Sequence, residues 1–444
     1  MPTSYGDVAH LLRRAGYAPT GSEIQALTAS DIPTIVESLL DLSGAPGVST
    51  PIGMNDATLG NWEKWVSSTQ WWLDRMRTTS KPLQEKMTFF WHNHFATSRE
   101  KVDDMTLLWQ QNQTMRANCL GNFRNLTLAL SQQPALLLYL DNDSNEVGAP
   151  NENFARELME LFTLGVNQYT QADVVAAARA WTGYGIVGWN GTNVDYTYKF
   201  NAVAHDNGNK TFFGTTKNWD GPGVINEILS ANLAKKLTAA KFIARKAWSW
   251  FAYPNPSAAI VDAVGTAFYN SDLDIKVLMR TIFNHSEFYS TTAKQGLLRT
   301  PVEFIVAMMR YMGISSADAH PEWYLEAMGM APFTPPNVAG WKQNLYWVSS
   351  AAFWARADFA THMGWIATDS QNPKSNVFIN INNMGPAAAA NDAFNTFGVN
   401  TPSMQTRTTL ENWMADQRGG LYQDWVERPY MIRMIALTPE FQMA

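Results

Sequence analysis

The chain has 444 residues, 46% hydrophobic and only 16% charged, which is ample material for a large core. Its net charge of −6 comes without a basic run, and this argues against nucleic acid, whose binding rests on Lys and Arg meeting phosphates. Cys119 is the only cysteine, so an intramolecular disulfide and a thiolate-only metal cage are both excluded. No apolar run reaches membrane-spanning length, and the first residues hold no apolar export segment. The chain as given is expected to be soluble and cytoplasmic unless a leader was trimmed from it. Its 18 Trp, 22 Phe and 15 Tyr either fill the core or wall a cleft that stacks on sugar rings.

Gly6 to Leu42 reads as short helices broken by turns, with Arg13 and Arg14 as surface cations. Residues 44–60 are rich in Gly, Pro, Ser and Thr and read as loop, and Trp62 to Met76 reads as a Trp-rich helix. In the next helix, KPLQEKMTFFWHNHF (81–95), His92 and His94 lie about 200° apart and point to opposite sides. Two buried, hydrogen-bonded histidines are the expectation, with a ligand or acid/base role for one as the alternative. Glu85 shares the face of His92, which allows a Glu–His pairing.

Leu107 to Leu140 gives two helices, followed by the polar loop 141–152. Counted from Asp141, oxygen side chains fall at positions 1, 3, 5 and 12 (Asp141, Asp143, Asn145, Glu152), the pattern of an EF-hand calcium loop. Glu146 stands where such a loop needs Gly, so calcium competes with a plain Asx-turn.

The most informative stretch is NENFARELMELFTLG (151–165). On a helix, Phe154, Ala155, Leu158, Met159, Leu161 and Phe162 take one side. Glu152, Asn153, Arg156, Glu157, Glu160 and Thr163 take the other, with Gly165 as the stop. The pairs Glu152–Arg156, Arg156–Glu160 and Asn153–Glu157 are all i,i+4. This face is either a solvated ion-pair stripe or the wall of a carboxylate-lined cleft.

Thr170 to Asp173 reads as a capping-box start for a helix that Gly183 and Gly185 stop. Residues 186–223 allow one short hairpin, from weak alternation in Val194 to Phe200. His205, Asp206 and Lys210 fall within one short loop and could supply a base, an acid and an anion contact. Helices follow over 231–251, 258–269 and 275–283, and Arg299 and Glu303 are an i,i+4 pair at the start of another. The prolines of APFTPPNVAGW (331–341) force a rigid extended loop, flanked by Trp341 and Trp347. Residues 368–408 read as mobile.

The blocks HLLRRAGYAPT (10–20), MTFFWHNHFATS (87–98), PNENFARELMELFTLGVNQYTQADVVAAARAWTGY (150–184), HDNGNK (205–210), PFTPPNVAGW (332–341) and TPEFQ (438–442) resemble, in this order, the bacterial domain of unknown function 1800 family. The resemblance spans nearly the whole chain. It implies a predominantly helical protein, with export common among relatives and no activity attached. Many relatives carry His after the second Glu-Leu, where this chain has Phe162, and this weakens a metal role there.

The expectation is a predominantly α fold: a single large helical domain over 1–444 with long loops and at most a small β-hairpin. The expected function is a hydrolase acting on glycosidic bonds of a carbohydrate, because such chemistry needs one protonated and one ionised carboxylate. Glu157, Glu160, Asp206, His205 and Glu152 are the catalytic candidates. Arg156, Asn153, His92, His94, Lys210, Trp341 and Trp347 are the substrate-binding candidates. The alternatives are a non-catalytic scaffold whose Glu/Arg face is a structural ion-pair network binding a protein partner, and a metal-dependent enzyme using His and acidic residues.

Overall fold

The computed structural model describes residues 3–187, 197–294, 296–419 and 424–444. Helices dominate it, as expected, and the strands form two small ribbons. The helices that position the regions discussed below are α1 (Tyr5–Ala15), α2 (Asn61–Thr78), α3 (Pro82–His94), α4 (Met105–Asn118), α5 (Asn153–Glu157), α6 (Gln171–Ala180), α7 (Leu233–Phe251), α8 (Pro301–Met312) and α9 (Ser350–Thr368). One continuous apolar core runs through the described residues from Val8 to Phe441. Trp65, Trp72, Trp91, Trp181 and Trp248 are fully buried in it, so many of the aromatic side chains serve packing. No described helix is long and apolar enough to cross a membrane.

Local rules explain where several helices start and stop. Thr170 and Asp173 form the predicted capping box of α6, and Thr300 and Glu303 form another at α8, with Pro301 in its first turn. Gly313 ends α8 in the left-handed region, at φ +69°.

Helix α3 is the centre of the N-terminal half, and every residue from Met87 to His94 is buried. A helix enclosed on all sides must find partners for its polar groups. Glu85 does so with two arginines. Arg75 of α2 donates to it at 2.5 Å, Arg116 of α4 at 2.9 Å, and the Trp72 indole N–H at 2.9 Å. Glu85 is therefore paired with cations and not with His92. Lys86, on the next position, pairs with Glu303 of α8, so the expected Arg299–Glu303 pair gives way to a contact between distant helices.

The single expected hairpin is two ribbons. Strand β1 (Tyr184–Ile186) pairs antiparallel with β2 (Tyr198–Phe200), and β3 (Lys210–Phe212) with β4 (Thr215–Lys217). Residues 194–196 of the expected alternation lie outside the described residues. Two further expectations fail. Arg14 is buried rather than on the surface, and its Nη2 donates to the Ala293 carbonyl at 2.7 Å. Residues 368–408, expected to be mobile, include a helix over Pro386–Thr396 that buries Ala389, Ala390, Ala393 and Phe394.

Candidate functional site

The apolar face of the 151–165 stretch is as expected: Phe154, Ala155, Leu158, Met159 and Phe162 are buried. The polar face is not, because α5 changes at Leu158 into a π-helix that runs to Thr163. The Leu164 N–H reaches back five residues to the Met159 carbonyl at 2.8 Å, the spacing that defines that wider turn. Two carbonyls of this turn are taken by other helices. His94 Nε2–H donates to Phe162 O at 3.0 Å, and Lys246 Nζ to Leu161 O at 3.4 Å. The wider turn carries Thr163 inward, where its hydroxyl donates to Leu158 O at 2.6 Å.

Of the three expected i,i+4 pairs, one forms. Arg156 Nη2 meets Glu152 at 2.9 Å, and Gln171 at the start of α6 joins both side chains. The wider turn rotates Glu160 away from Arg156, and Glu160 accepts the Tyr169 hydroxyl instead. Asn153 turns to the Leu140 carbonyl at 3.2 Å and to Asp141. Glu157 is left half-buried, with no hydrogen bond among the described residues. Burial, and next the charge of Glu160, push its carboxyl above the usual carboxylate range, partly offset by Arg156.

The loop carrying His205, Asp206 and Lys210 does not join this group. It packs at the C-terminal end of α6, where His205 Nδ1–H donates to Thr182 O at 2.8 Å and Arg179 holds Asp206 at 2.6 Å. Gln171, which holds Glu152, sits at the other end of that helix. The eight residues from Gln171 to Arg179, at ~1.5 Å rise, put the two groups roughly 12 Å apart along its axis. Hydrogen bonds from Arg179 and the Gly208 N–H hold Asp206 below the usual carboxylate range, and this keeps it ionised and fixed rather than poised to donate a proton. Lys210 is 1% exposed, and its ammonium is spent on Asp206 O, Asn218 and Trp219 O. It has no donor left for an anion.

The substrate-binding roles expected for His92, His94, Trp341 and Trp347 are also corrected, since all four are buried. His92 Nε2 accepts the Phe333 N–H at 3.0 Å, and burial pushes its pKa down to about 3. Burial also holds His94 neutral. The two rings face opposite sides, as read from the spacing. Trp341 stacks on Phe89, and its backbone N–H donates to Asn93 Oδ1 at 2.7 Å. Residues 331–341 thus clamp the end of α3.

The calcium reading fails on committed donors. Asp141 pairs with Lys101 at 2.7 Å, the Asn145 oxygen accepts the Asn151 N–H at 2.9 Å, and Glu152 belongs to Arg156. Among the described residues no group of three or more His, Cys, Asp or Glu side chains converges as a metal site.

Two openings bear on the candidate site. A pocket of about 440 Å³ lies between the end of α3, residues 139–153 and the proline loop, lined by Ser98, Lys101, Tyr139, Asn153 and Asn337. Asn153 is the only predicted site residue among its lining residues, and Asp141 lies beside it, paired with Lys101. A larger cleft of about 940 Å³ runs along α2, and sequence reasoning missed it. Trp62, Val66, Gln70 and Asp74 line it at helical spacing, with Trp71 and Arg75 beside them. The far wall is the 44–60 loop, anchored by Trp71 Nε1 to Ser49 at 2.9 Å and by Arg75 to the Gly47 and Pro46 carbonyls. Trp62 is 39% exposed, with its ring 6.0 Å from that of Trp323, which is 69% exposed. The sequence signal was the helical stripe of Trp62, Val66, Gln70 and Asp74, which runs beside the Trp65–Trp72 stripe that enters the core.

No curated protein and no solved structure matches this chain. A family model described as "Protein of unknown function (DUF1800)" matches residues 10–443, and the chain belongs to that family.

Proposed function

We propose that the protein binds a carbohydrate chain in the α2 cleft. The observation that supports this reading is the Trp62 ring, 39% exposed at a cleft that Gln70 and Asp74 also line, with the Arg99 guanidinium 5.2 Å from the ring centre. Flat aromatic faces beside fixed polar groups are what a sugar ring requires. Cleavage in the same cleft is disfavoured by helix geometry. Its carboxylates Glu63 and Asp74 both lie on α2, and eleven residues at ~1.5 Å rise separate them by roughly 16 Å along the axis. Glycosidases place their two carboxyl groups about 5–10 Å apart. Calorimetric titration with a panel of soluble oligosaccharides is expected to find a ligand that Trp62→Ala binds about tenfold or more weakly, since losing the stacking costs on the order of 1–2 kcal/mol. Equal binding by Trp62→Ala, or no binding by any oligosaccharide, sinks the reading.

A second reading, hydrolysis of glycosidic bonds at the π-helix, is favoured by Glu157, whose raised pKa beside Glu160 suits a general acid. Glu157→Gln would abolish glycosidase turnover while leaving the fold intact. Its stability has a defined sign. A carboxyl raised in the folded state costs stability once ionised, so the wild type loses stability as pH climbs from about 4.5 through the folded pKa. Glu157→Gln is therefore expected to unfold at a slightly higher temperature than wild type near pH 7 and at about the same temperature near pH 4. A fall in melting temperature near pH 7 would instead favour the structural-network alternative, in which this face only holds the chain together.

A further inference from the structure

Positive charge accumulates where α1, the residues before α8 and α9 meet: Arg14, Arg299 and Arg356 are buried and Arg13 is half-buried. Arg13, Arg14, Arg299 and Arg356 lie close enough to depress one another's proton affinity, after burial itself. Arg14 is pushed down to about 9 and Arg356 to about 10. Among the described residues none of the four forms an ion pair. Glu303, the nearest carboxylate to act on them, is already held by Lys86 and by the Thr300 N–H at 2.7 Å. Arg356 donates to Gln442 at 2.6 Å and to Arg299 O at 2.7 Å, and Arg299 lies over the Phe441 ring at 4.2 Å. Donors are left over. Arg13 Nε, Arg14 Nε and Nη1, Arg299 Nη1 and Arg356 Nε are shut from solvent with no acceptor. Uncompensated buried cations and orphaned donors are both costly, and here they occur together.

A pocket of about 400 Å³ opens onto this cluster, with Arg13, Lys294, Asn400 and Thr401 in its wall. Asn400 Nδ2 is a further buried donor without an acceptor. The acids at the pocket are already engaged. Asp7 pairs with Lys294 at 2.5 Å, and Glu440, on the wall, accepts the Ser403 N–H at 2.8 Å and the Thr406 hydroxyl at 3.0 Å. His10, in the field of Arg13, Arg14 and Lys294, is held neutral by burial. Glu440 and the terminal residue Ala444 share the pocket wall with Arg13 and Lys294, and the buried groups left without a partner there, Arg13 Nε and Asn400 Nδ2, are donors.

We propose that this pocket binds a tetrahedral oxyanion, the phosphate or sulfate group of a ligand, between Arg13, Lys294 and the Asn400 amide. Guanidinium and ammonium groups recognise such anions by charge-assisted hydrogen bonds, and the arginines behind Arg13 add positive charge that Glu303, shared with Lys86, offsets only in part. The site is separate from the α2 cleft and does not depend on the carbohydrate reading.

The test is calorimetry and thermal unfolding of the full chain with inorganic phosphate, inorganic sulfate and glycerol phosphate, against chloride at matched ionic strength. Saturable heat and a rise in melting temperature with phosphate or sulfate, absent with chloride, are expected. Tighter binding of glycerol phosphate than of the inorganic ion would identify a phosphoryl ester as the source, and the reverse a free ion. Lys294→Gln and Asn400→Ala, at the pocket wall, are expected to weaken binding about tenfold each. Arg13→Gln should weaken it further, but that variant also disturbs the buried cluster, so the two wall variants carry the decision. No effect beyond chloride, or unchanged affinity in both wall variants, overturns the proposal.

Discussion

Replacing Glu85 by alanine is expected to lower the unfolding free energy by about 3–5 kcal/mol, because it strands two buried guanidinium groups. Glu85 has no exposed side-chain surface, and its two oxygens receive Arg75, Arg116 and the Trp72 indole. Arg116 also lies over the Trp71 and Trp72 rings, so losing the carboxylate should loosen the floor of the α2 cleft too. Burial alone would raise the Glu85 pKa, but the two arginines outweigh it and hold the carboxyl below the usual range. The sign follows. Folding favours the ionised form, so the contribution is present above about pH 4.5 and fades as pH falls through the folded pKa. Urea unfolding should show the full deficit near pH 7 and a smaller one in acid. A deficit under about 1 kcal/mol at neutral pH would mean that the arginines find other acceptors, and that the network is not what secures α2 to α3 and α4.

Gly340→Ala is the second large effect, expected at about 2–3 kcal/mol. Gly340 has φ +79°, and a Cβ there would run into the backbone carbonyl and side chain of Asn93. The same Asn93 accepts the Trp341 N–H, and the neighbouring His92 accepts the Phe333 N–H. Strain at Gly340 should therefore detach the proline loop from α3, seen as faster hydrogen exchange at the Phe333 and Trp341 amides. Gly313→Ala is the control. It has a similar φ of +69° but nothing within 4 Å of the added carbon, so it should cost nearer 1 kcal/mol. Equal losses in the two variants would show that backbone conformation alone, and not the contact with Asn93, sets the cost.

The helical class, the capping boxes at Thr170 and Thr300 and the buried face of the 151–165 stretch rest on local periodicity and local hydrogen bonds. Those are properties of a few neighbouring residues, and the sequence displays them directly. The opposed histidines are of the same kind, since 100° per residue sends His92 and His94 apart whatever surrounds them. The candidate site fared less well, for one physical reason. A polar side chain does not announce whether its partner will be water, a ligand or another helix. Lys210 reads as an anion contact, yet Asp206, Asn218 and Trp219 consume it. Arg14 reads as surface charge, yet α1 buries it and turns its Nη2 to the Ala293 carbonyl.

By itself, then, the sequence determined the helical architecture, the apolar face of the 151–165 stretch and the family. Only the tertiary structure decided which carboxylates remained free and where an aromatic ring stayed open. The π-turn carries the Phe162 and Leu161 carbonyls to His94 and Lys246 of other helices, and the Glu157 side chain has no hydrogen bond among the described residues. The Trp62 cleft depends on a Gly/Pro-rich loop pinned to α2 by Trp71 and Arg75. Both are contacts between segments distant in the chain, and periodicity in one segment carries no information about what another will bring to it.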